Sequence, residues 1–208
     1  MATYNNGSLG SFKGKVGPIV GGKWKSIDWF RSYVIPSNPN TPAQQGQRSR
    51  MTQIVFIARQ LLGSLIKPYW DKFYTNKSGY NAFVSENIQK LSPTTLELNT
   101  NFVTAKGNVL GVEGLAATYN PANGMITATY EANSNGTTGL PTDKCGIVVI
   151  DKNGTVRGTG FELNDREGGD VVITIQGGLT AANQLVSFFL YRGTGSDLQV
   201  SDSTSVFC

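Results

Sequence analysis

The first 33 residues mix aromatic and branched apolar positions with lysines and glycines. Two pairs, Gly17-Pro18 and Gly21-Gly22, interrupt this run, and the Gly-Gly pair fits the tight turn of a hairpin. The pattern predicts a two-stranded β-ribbon with its lysines on one face and its apolar side chains on the other. Such a ribbon is marginal in water, so we expect its apolar face to pack on the chain's own helices or on another subunit. The small, polar residues 1–10 predict a flexible arm.

A helical pattern begins at residue 41. Thr41, Pro42 and Gln44 form a capping box with proline at the first helical position. Apolar residues then recur at three- and four-residue spacing, at Met51, Ile54, Ala58, Leu61 and Leu65, with Val55, Leu62 and Ile66 beside them. This spacing predicts a helix that runs to about residue 66 and buries one face. Arg48, Arg50 and Arg59 lie off or at the edge of that stripe, where they face either an anionic partner or solvent.

A further helix is predicted after Ser78, because apolar side chains and one asparagine fall on one side of the segment that follows. These residues are Tyr80, Phe83, Val84, Asn87, Ile88 and Leu91. The aromatic segment 67–74 precedes this helix. Its Trp and Tyr residues suit stacking on single-stranded nucleic acid, but their helical spacing beside aliphatic residues favours the core.

After residue 91 the helical period stops, and short β-favouring runs alternate with glycine- and asparagine-rich turns. Nine candidate strands lie at 95–98, 109–112, 116–120, 125–130, 146–151, 157–161, 171–175, 185–191 and 198–201. This arrangement is typical of an immunoglobulin-like or fibronectin-type sandwich. We therefore predict an α+β chain with two domains. Residues 1–92 form a basic arm, β-ribbon and helical assembly domain, and residues 93–208 form an all-β immunoglobulin-like sandwich.

The two halves of the chain carry net charges of opposite sign. The 208-residue chain has a net charge of +4, yet residues 1–90 carry 12 Lys/Arg and three Asp/Glu, whereas residues 91–208 carry six Lys/Arg and 11 Asp/Glu. Opposite signs in the two halves fit three situations: a basic half that faces an anionic partner such as nucleic acid, halves that attract one another between copies, or a solvated basic face.

Candidate chemistry is sparse. The chain has no histidine, which removes His-dependent catalytic triads and the commonest metal ligand. Cys145 and Cys208 cannot complete a structural zinc site alone and predict free thiols, with Cys208 the more exposed. The acidic residues Glu162, Asp165, Glu167 and Asp170 match no calcium loop and predict a solvated turn. We expect no enzyme activity, no catalytic residue, no metal, no cofactor and no small-molecule substrate.

The N-terminus has neither the charged nor the apolar region of a secretory signal. The longest apolar stretch, 54–66, is too short and too interrupted to span a bilayer. These features predict a soluble protein that is made in the cytoplasm and has no membrane partner.

The glycine-rich opening carries a resemblance. Residues 10–25 read Gly-x-Phe-x-Gly-Lys-Val-Gly-x-Ile-Val-Gly-x-x-Trp-Lys, and Arg31-Ser32, Asn40-Thr41-Pro42-Ala43-Gln44 and Gln47-Arg48 follow. This pattern resembles a family of uncharacterised proteins found in Bacteroidota and in their phages and prophages. The similarity continues through residues 80–87 and 200–203. The resemblance implies a phage or mobile-element context and carries no mechanism.

These observations predict a non-enzymatic, self-assembling structural protein of a phage virion, such as a capsid, connector or tail protein, that contacts its own copies and other virion proteins. Two alternatives remain open: a nucleic-acid-binding module acting through the basic half, and a receptor- or glycan-binding adhesin acting through the sandwich loops. The predicted interface or nucleic-acid contacts are Lys13, Lys15, Lys23, Trp24, Lys25, Trp29, Arg31, Arg48 and Arg50.

Overall fold

The computed structural model of this chain describes residues 2–4, 13–25, 27–38, 40–74, 76–92, 95–175 and 184–208. They form helices and antiparallel sheets, so the chain is α+β as predicted. By its internal contacts the chain divides into two compact units, Met1–Thr41 and Pro42–Cys208. The predicted domain boundary at residue 92 falls inside the second unit, because the helices and the sheets that follow them share one hydrophobic core.

The first unit is an antiparallel sheet with the strand order β1-β4-β3-β2. Its strands are β1 (Ala2–Tyr4), β2 (Gly14–Val16), β3 (Ile19–Trp24) and β4 (Ile27–Ser32). The predicted ribbon is therefore part of a four-stranded sheet. Part of the predicted arm is a strand, because the free edge of β4 pairs with the backbone of β1. The rest of the arm, 1 and 5–10, lies outside the described residues.

The turn between β2 and β3 lies at Gly17-Pro18, where Gly17 has a φ of 56°. Gly21 and Gly22 had the sequence signature of a turn, but they lie inside β3. The reason is steric. A Cβ at Gly22 would lie 2.6 Å from the Trp29 indole, so this glycine permits close packing on the opposite strand instead of reversing the chain.

The strand register also decides which residues share a face, because directly opposed residues point to the same side of a sheet. Lys15, Val20 and Arg31 are cross-strand neighbours on one face, and Lys23 opposes Asp28 on the other. The predicted division into a cationic and an apolar face is therefore wrong. Since the chain reverses at residues 17–18, Lys15 and Lys23 fall on opposite faces.

The second unit begins with α1 (Pro42–Gln60), which starts at the predicted proline. A π-helical turn (Leu62–Ile66) extends this helix to its predicted end, and α2 (Lys67–Tyr69) and a 3₁₀ turn (Asp71–Phe73) follow. The fully buried residues of this segment are Ile54, Ile57, Ala58, Leu61, Leu65 and Ile66. Met51 was predicted in this stripe but is exposed, and Ile57 takes its place.

Helix α3 (Gly79–Asn87) begins where the sequence predicted. The Ser78 hydroxyl accepts a hydrogen bond from the Asn81 backbone N–H at 3.3 Å and caps the helix. Phe83, Asn87 and Leu91 are buried, as their spacing predicted. Trp70 is also buried, and its indole N–H donates to the Thr104 carbonyl at 2.8 Å. Trp70 and Tyr69 of the aromatic segment therefore belong to the core, whereas Phe73 is exposed.

Two antiparallel sheets complete the second unit. One has the order β5 (Glu113–Asn120), β6 (Met125–Glu131) and β9 (Val171–Thr174). The other places β7 (Lys144–Asp151) between β8 (Val156–Asp165) and β10 (Gln184–Arg192). Two short strands, β11 (Gln199–Val200) and β12 (Thr204–Phe207), pair with the outer side of β10.

Strands β7 and β10 are buried on both faces. On β7, Ile147 and Val149 contribute to the core shared with the three-stranded sheet, whereas Val148 and Ile150 contribute to the core shared with the helices. A strand covered on both sides needs a continuous apolar run, which is what β7 and β10 have. The unit therefore has three layers: helices, the five-stranded sheet and the three-stranded sheet.

Seven of the nine predicted strands overlap observed strands. Residues 95–98 form no strand, and 109–112 contribute a single bridge between Val109 and Ser201. Strand β12 was not predicted. Cys145 and Cys208 are free thiols, and Cys208 is the more exposed, as predicted. Among the described residues, no helix is both long and apolar enough to cross a membrane.

Candidate functional site

One face of the N-terminal sheet combines aromatic and basic side chains. The register pairs Lys15 with Val20, Val20 with Arg31, Gly22 with Trp29 and Trp24 with Ile27, which places all of these residues on the same side. We call this surface the aromatic–basic face; it contains Lys15, Trp24, Ile27, Trp29, Arg31 and Tyr33. The structure thus brings together four of the predicted contact residues: Lys15, Trp24, Trp29 and Arg31.

The cations of this face lie against its aromatic rings. The Lys15 ammonium is 3.8 Å from the centre of the Tyr33 ring, and the Arg31 guanidinium carbon is 5.9 Å from that of Trp29. These are cation–π distances. Backbone pairing supports the first contact, because the Tyr33 N–H donates to the Pro18 carbonyl at 2.6 Å. Tyr33 was not among the predicted contacts. Its position two residues after Arg31, which itself follows Trp29 by two residues, is the spacing of side chains on one face of a strand and was the signal that could have identified it.

The indole of Trp24 is the most projecting aromatic group of the face, with 70% of its surface exposed. It ends β3, directly before Lys25, an exposed turn residue whose φ of 54° lies in the left-handed region. Lys13 is exposed immediately before β2. Lys23 is exposed on the opposite face beside Asp28, so the sheet separates it from Lys15, Trp24, Trp29 and Arg31.

The sheet leaves apolar side chains uncovered. Val16 on β2 is 61% exposed, Ile27 on β4 is exposed, and Val34 and Ile35, which follow β4, are also exposed, Ile35 at 77%. Among residues 13–25, 27–38, 40 and 41 of the first unit, only Gly21 is buried. A sheet is normally stabilised by burying one face against another layer. The described part of this unit has no such core of its own.

The remaining predicted contacts, Arg48 and Arg50, lie on α1 in the second unit. Arg50 is half-buried, and its Nη1 donates to Gln89 Oε1 at 3.0 Å, which holds the side chain against the turn that follows α3. Arg48 is exposed, and its backbone carbonyl accepts from the Thr52 hydroxyl. The other seven predicted contacts all belong to the first unit.

The positive net charge of the chain lies in the first of its two units. Residues 1–41 contain five Lys/Arg and one Asp, and residues 42–208 contain 13 Lys/Arg and 13 Asp/Glu. The chain's net charge of +4 therefore belongs to the first unit. A basic unit of this kind attracts anionic partners at long range and low ionic strength.

The acidic residues near the end of β8 form ordinary surface contacts. Asp165 pairs with Lys144 at 2.5 Å, and Glu167 accepts a hydrogen bond from the Ser134 hydroxyl. Within the described part of the chain, no group of three or more His, Cys, Asp or Glu side chains is arranged to hold a metal ion.

The chain belongs to a family of unknown function, DUF6266, whose family model matches residues 11–163. The match includes the N-terminal sheet from β2 onward, the helices, and the second unit as far as β8. No curated protein and no solved structure matches the chain.

Proposed function

We propose that this DUF6266 protein is a non-enzymatic structural protein that assembles with copies of itself through its N-terminal sheet. The observation that carries this proposal is the uncovered sheet: it exposes Val16, Trp24, Ile27 and Ile35, while the described residues of its unit supply no apolar core. Burying one large apolar side chain contributes about 1.5–3 kcal/mol, so covering several of them is a substantial driving force for association.

A second copy suits this surface better than an unrelated partner does. The same apolar side chains are present on every copy, so one sheet face supplies the complement of another in a symmetric contact. The outer edge of β2 also has unpaired backbone groups in the described sheet, and such an edge pairs readily with a strand from another chain. The exposed apolar side chains and the open edge of β2 both favour contacts between identical copies of the chain.

The assembly we propose is a phage particle, in which the protein serves as a capsid, connector or tail component. The N-terminal motif supports this context through its resemblance to proteins of Bacteroidota and their phages. In this proposal the two packed sheets of the second unit are an immunoglobulin-like sandwich, which displays outward while the N-terminal sheet joins neighbours.

Light scattering coupled to size-exclusion chromatography tests the proposal. We expect the wild-type chain to form oligomers, visible as regular particles or rings by negative-stain microscopy. The variant Val16→Lys/Ile19→Lys is expected to be monomeric, because it places two charges on one exposed face of the sheet, where these residues are cross-strand neighbours. The control variant Leu163→Lys/Val172→Lys changes residues of similar exposure in the second unit, 42% and 49%, and is expected to keep the oligomer.

Either of two results contradicts the proposal. The first is a wild-type chain that stays monomeric at high concentration. The second is assembly that is unchanged when residues 1–22 are deleted, because that deletion removes β1, β2 and four of the six residues of β3.

A second candidate function, binding of single-stranded nucleic acid, is favoured by the aromatic–basic face. Exposed Trp24 is positioned to stack on a base, and Lys15 and Arg31 beside it are positioned to contact phosphates. Stacking on one aromatic side chain contributes about 1–3 kcal/mol. This candidate uses one face of the sheet and leaves the opposite face, with Val16 and Ile19, for protein contacts.

Fluorescence anisotropy with a single-stranded DNA oligonucleotide at several salt concentrations tests this candidate. Binding is expected to weaken steeply as salt rises, and Lys15→Ala/Arg31→Ala is expected to reduce the slope by roughly 0.7 for each phosphate that the variant no longer neutralises. The control Lys152→Ala changes a lysine of the second unit that pairs with Glu97 and is expected to leave the slope unchanged. Absent or salt-insensitive binding rules this candidate out.

A further inference from the structure

We infer that a cleft in the second unit binds a saccharide. The cleft has a volume of about 580 Å³ and lies between α2, the end of β8 and the loop that joins β10 to β11. Its size is in the range of small-molecule sites. Because the cleft lies wholly within the second unit, this inference does not depend on assembly through the N-terminal sheet.

The floor of the cleft is aromatic. The Tyr69 ring stacks on Phe161 with ring centres 5.3 Å apart, and it meets the rings of Phe189 and Tyr191 edge-on at 5.3 and 5.2 Å. Leu198 and Pro68 add apolar surface beside these rings. Only small parts of Tyr69 and Tyr191 are exposed, 8% and 4%, so the cluster gives the cleft a rigid apolar floor.

The Tyr191 hydroxyl at this floor lacks a hydrogen-bond partner. Tyr191 is 4% exposed and lines the cleft, and its oxygen lies near the Tyr69 hydroxyl and the Glu162 backbone without reaching hydrogen-bond geometry to either. Burial raises the pKa of both tyrosines, so both hydroxyls stay protonated and able to donate. Buried polar groups are rarely left unpaired, and a bound ligand that accepts from Tyr191 satisfies this one.

Glu162 stands at the mouth of the cleft in a strained backbone conformation. Its φ of 57° lies in the left-handed region, at an irregularity where β8 has three residues opposite a single residue of β7. Residues other than glycine are costly there, and such strain is concentrated at ligand sites. The bulge turns the strand locally and brings the exposed Glu162 side chain to the cleft.

Two further side chains hold the walls in place. Lys72 Nζ donates to the Leu198 carbonyl at 2.7 Å and ties the wall of the cleft to the end of the β10–β11 loop. Asp71 Oδ1 accepts from the Gly79 backbone N–H at 2.6 Å at the start of α3. The cleft is therefore formed before any ligand arrives, which lowers the entropy cost of binding.

The charges around the cleft select the ligand class. Lys67 and Lys72 are balanced by Asp71 and Glu162, so the lining carries no net charge and favours neither an anion nor a cation. A neutral saccharide suits such a lining, and each of its hydroxyls both donates and accepts. It can donate to the carboxylates and accept from Tyr191 and the lysines, while its ring lies against the aromatic floor.

An NMR titration of the full-length, ¹⁵N-labelled protein tests this inference, with glucose, galactose, N-acetylglucosamine, cellobiose, lactose and chitobiose as probes. We expect at least one of them to shift the amide signals of α2, the end of β8 and the β10–β11 loop. Tyr191→Phe is expected to weaken that binding about fivefold, the value of one hydrogen bond. The control Tyr80→Phe removes a tyrosine hydroxyl on α3, outside the cleft.

Thermal unfolding separates binding roles from structural ones. Glu162→Gly is expected to raise the unfolding midpoint, because glycine tolerates a φ of 57°, and yet to weaken saccharide binding. Glu167→Gly removes a carboxylate outside the cleft and is expected to leave binding unchanged. The inference is overturned if no probe shifts the cleft signals, if Tyr191→Phe binds as tightly as the wild type, or if only charged ligands or peptides bind there.

Discussion

The indole of Trp29 lies directly over Gly22, the residue that it opposes between β4 and β3. A methyl group at Gly22 would come within 2.6 Å of ring carbon Cζ2. The Trp29 indole can therefore take this position only because residue 22 is a glycine. The indole in turn lies at the centre of the aromatic–basic face, beside Arg31.

We expect Gly22→Ala to displace the Trp29 indole and to destabilise the N-terminal sheet by about 1–3 kcal/mol, the usual cost of overpacking. The NMR signal of the Trp29 indole N–H reports the displacement, and hydrogen exchange of the β3 and β4 amides reports the destabilisation. Gly46→Ala is the control, because a methyl group there meets no atom within 4 Å. On α1 it is expected to stabilise by about 0.5–1 kcal/mol. An unmoved indole signal in Gly22→Ala contradicts the proposed dependence.

The second prediction concerns Arg166 and Asp143, an ion pair whose side chains are both fully buried, with Nη2 and Oδ2 2.9 Å apart. The guanidinium also donates to Asn133 Oδ1 at 2.6 Å and to the Leu110 carbonyl at 2.7 Å, so it joins three loops. Arg166→Met leaves the Asp143 carboxylate buried, with the Leu140 N–H donating to Oδ2 at 2.9 Å and the Arg192 guanidinium 3.8 Å from Oδ1 as its remaining partners. We expect it to lower the free energy of unfolding by about 3–5 kcal/mol, measured by urea denaturation.

Two matched variants decide whether that destabilisation comes from the buried charge. Adding Asp143→Leu to Arg166→Met removes the charge and is expected to recover part of the stability. Lys144→Ala breaks the exposed pair with Asp165 and is expected to change the free energy of unfolding very little, because water screens this pair. If Arg166→Met costs no more than Lys144→Ala, the buried pair does not stabilise the fold.

The third prediction concerns pH. The hydrogen bond from Lys90, together with that from Lys106, lowers the pKa of Glu86 below its ordinary value of 4.5. A lowered folded-state pKa means that the ionised carboxylate stabilises the fold above pH 4.5, and that this stabilisation is lost as the pH falls through the lowered pKa. The side chains are partly solvated, so the effect is modest, about 1 kcal/mol or less.

We therefore expect Glu86→Gln to be less stable than the wild type at pH 7 and equally stable at a pH below the lowered pKa of Glu86, in parallel urea titrations. Glu113→Gln, an exposed residue opposite Glu131 across β5 and β6, is the control and is expected to show no such loss, since its charge faces a like charge. If Glu86→Gln lowers the free energy of unfolding by the same amount at both pH values, the ionised Glu86 carboxylate is not the source of the stabilisation.

The fourth prediction concerns the thiols. Burial raises the pKa of Cys145, which is fully buried and whose sulfur lies 3.3 Å from the Tyr130 hydroxyl. Cys208 is half-buried, and burial raises its pKa as well. Because only the exposed thiolate reacts, we expect a thiol reagent to label Cys208 slowly and Cys145 only when the protein unfolds. Mass spectrometry after timed labelling measures both rates, with Cys208→Ser as the control; faster labelling of Cys145 contradicts the burial argument.

Local sequence patterns predicted most of the elements of the second unit. The capping box at Thr41 and the spacing of Ile54, Ala58 and Leu61 placed α1, because a helix with one buried face repeats its apolar residues every 3.6 positions. Strands β7 and β10 were equally visible as continuous apolar runs. Strand β12 was missed because Ser and Thr residues interrupt its short apolar pattern.

The candidate site was harder to predict, because it depends on how strands align. Lys15, Trp24, Trp29 and Arg31 were all identified from their residue types, but their common face follows from the turn at Gly17-Pro18. The Gly21-Gly22 pair resembled a turn, and only the indole packed on Gly22 explains why that pair lies within a strand. The cleft had no local signal, because its lining comes from three separate segments of the chain, around residues 67–72, 162 and 191–198.

The sequence by itself determined the α+β class, the positions of α1, α3 and most strands, the free state of both cysteines, and a basic, aromatic N-terminal segment. These properties depend on the period of apolar residues and on residue chemistry, which are local. Only the tertiary structure decided the four-stranded sheet, the face that each lysine occupies, the division of the chain after Thr41, and the core that joins helices to sheets. Those depend on strand register and on contacts between distant residues, where a shift of one residue moves a side chain to the opposite face.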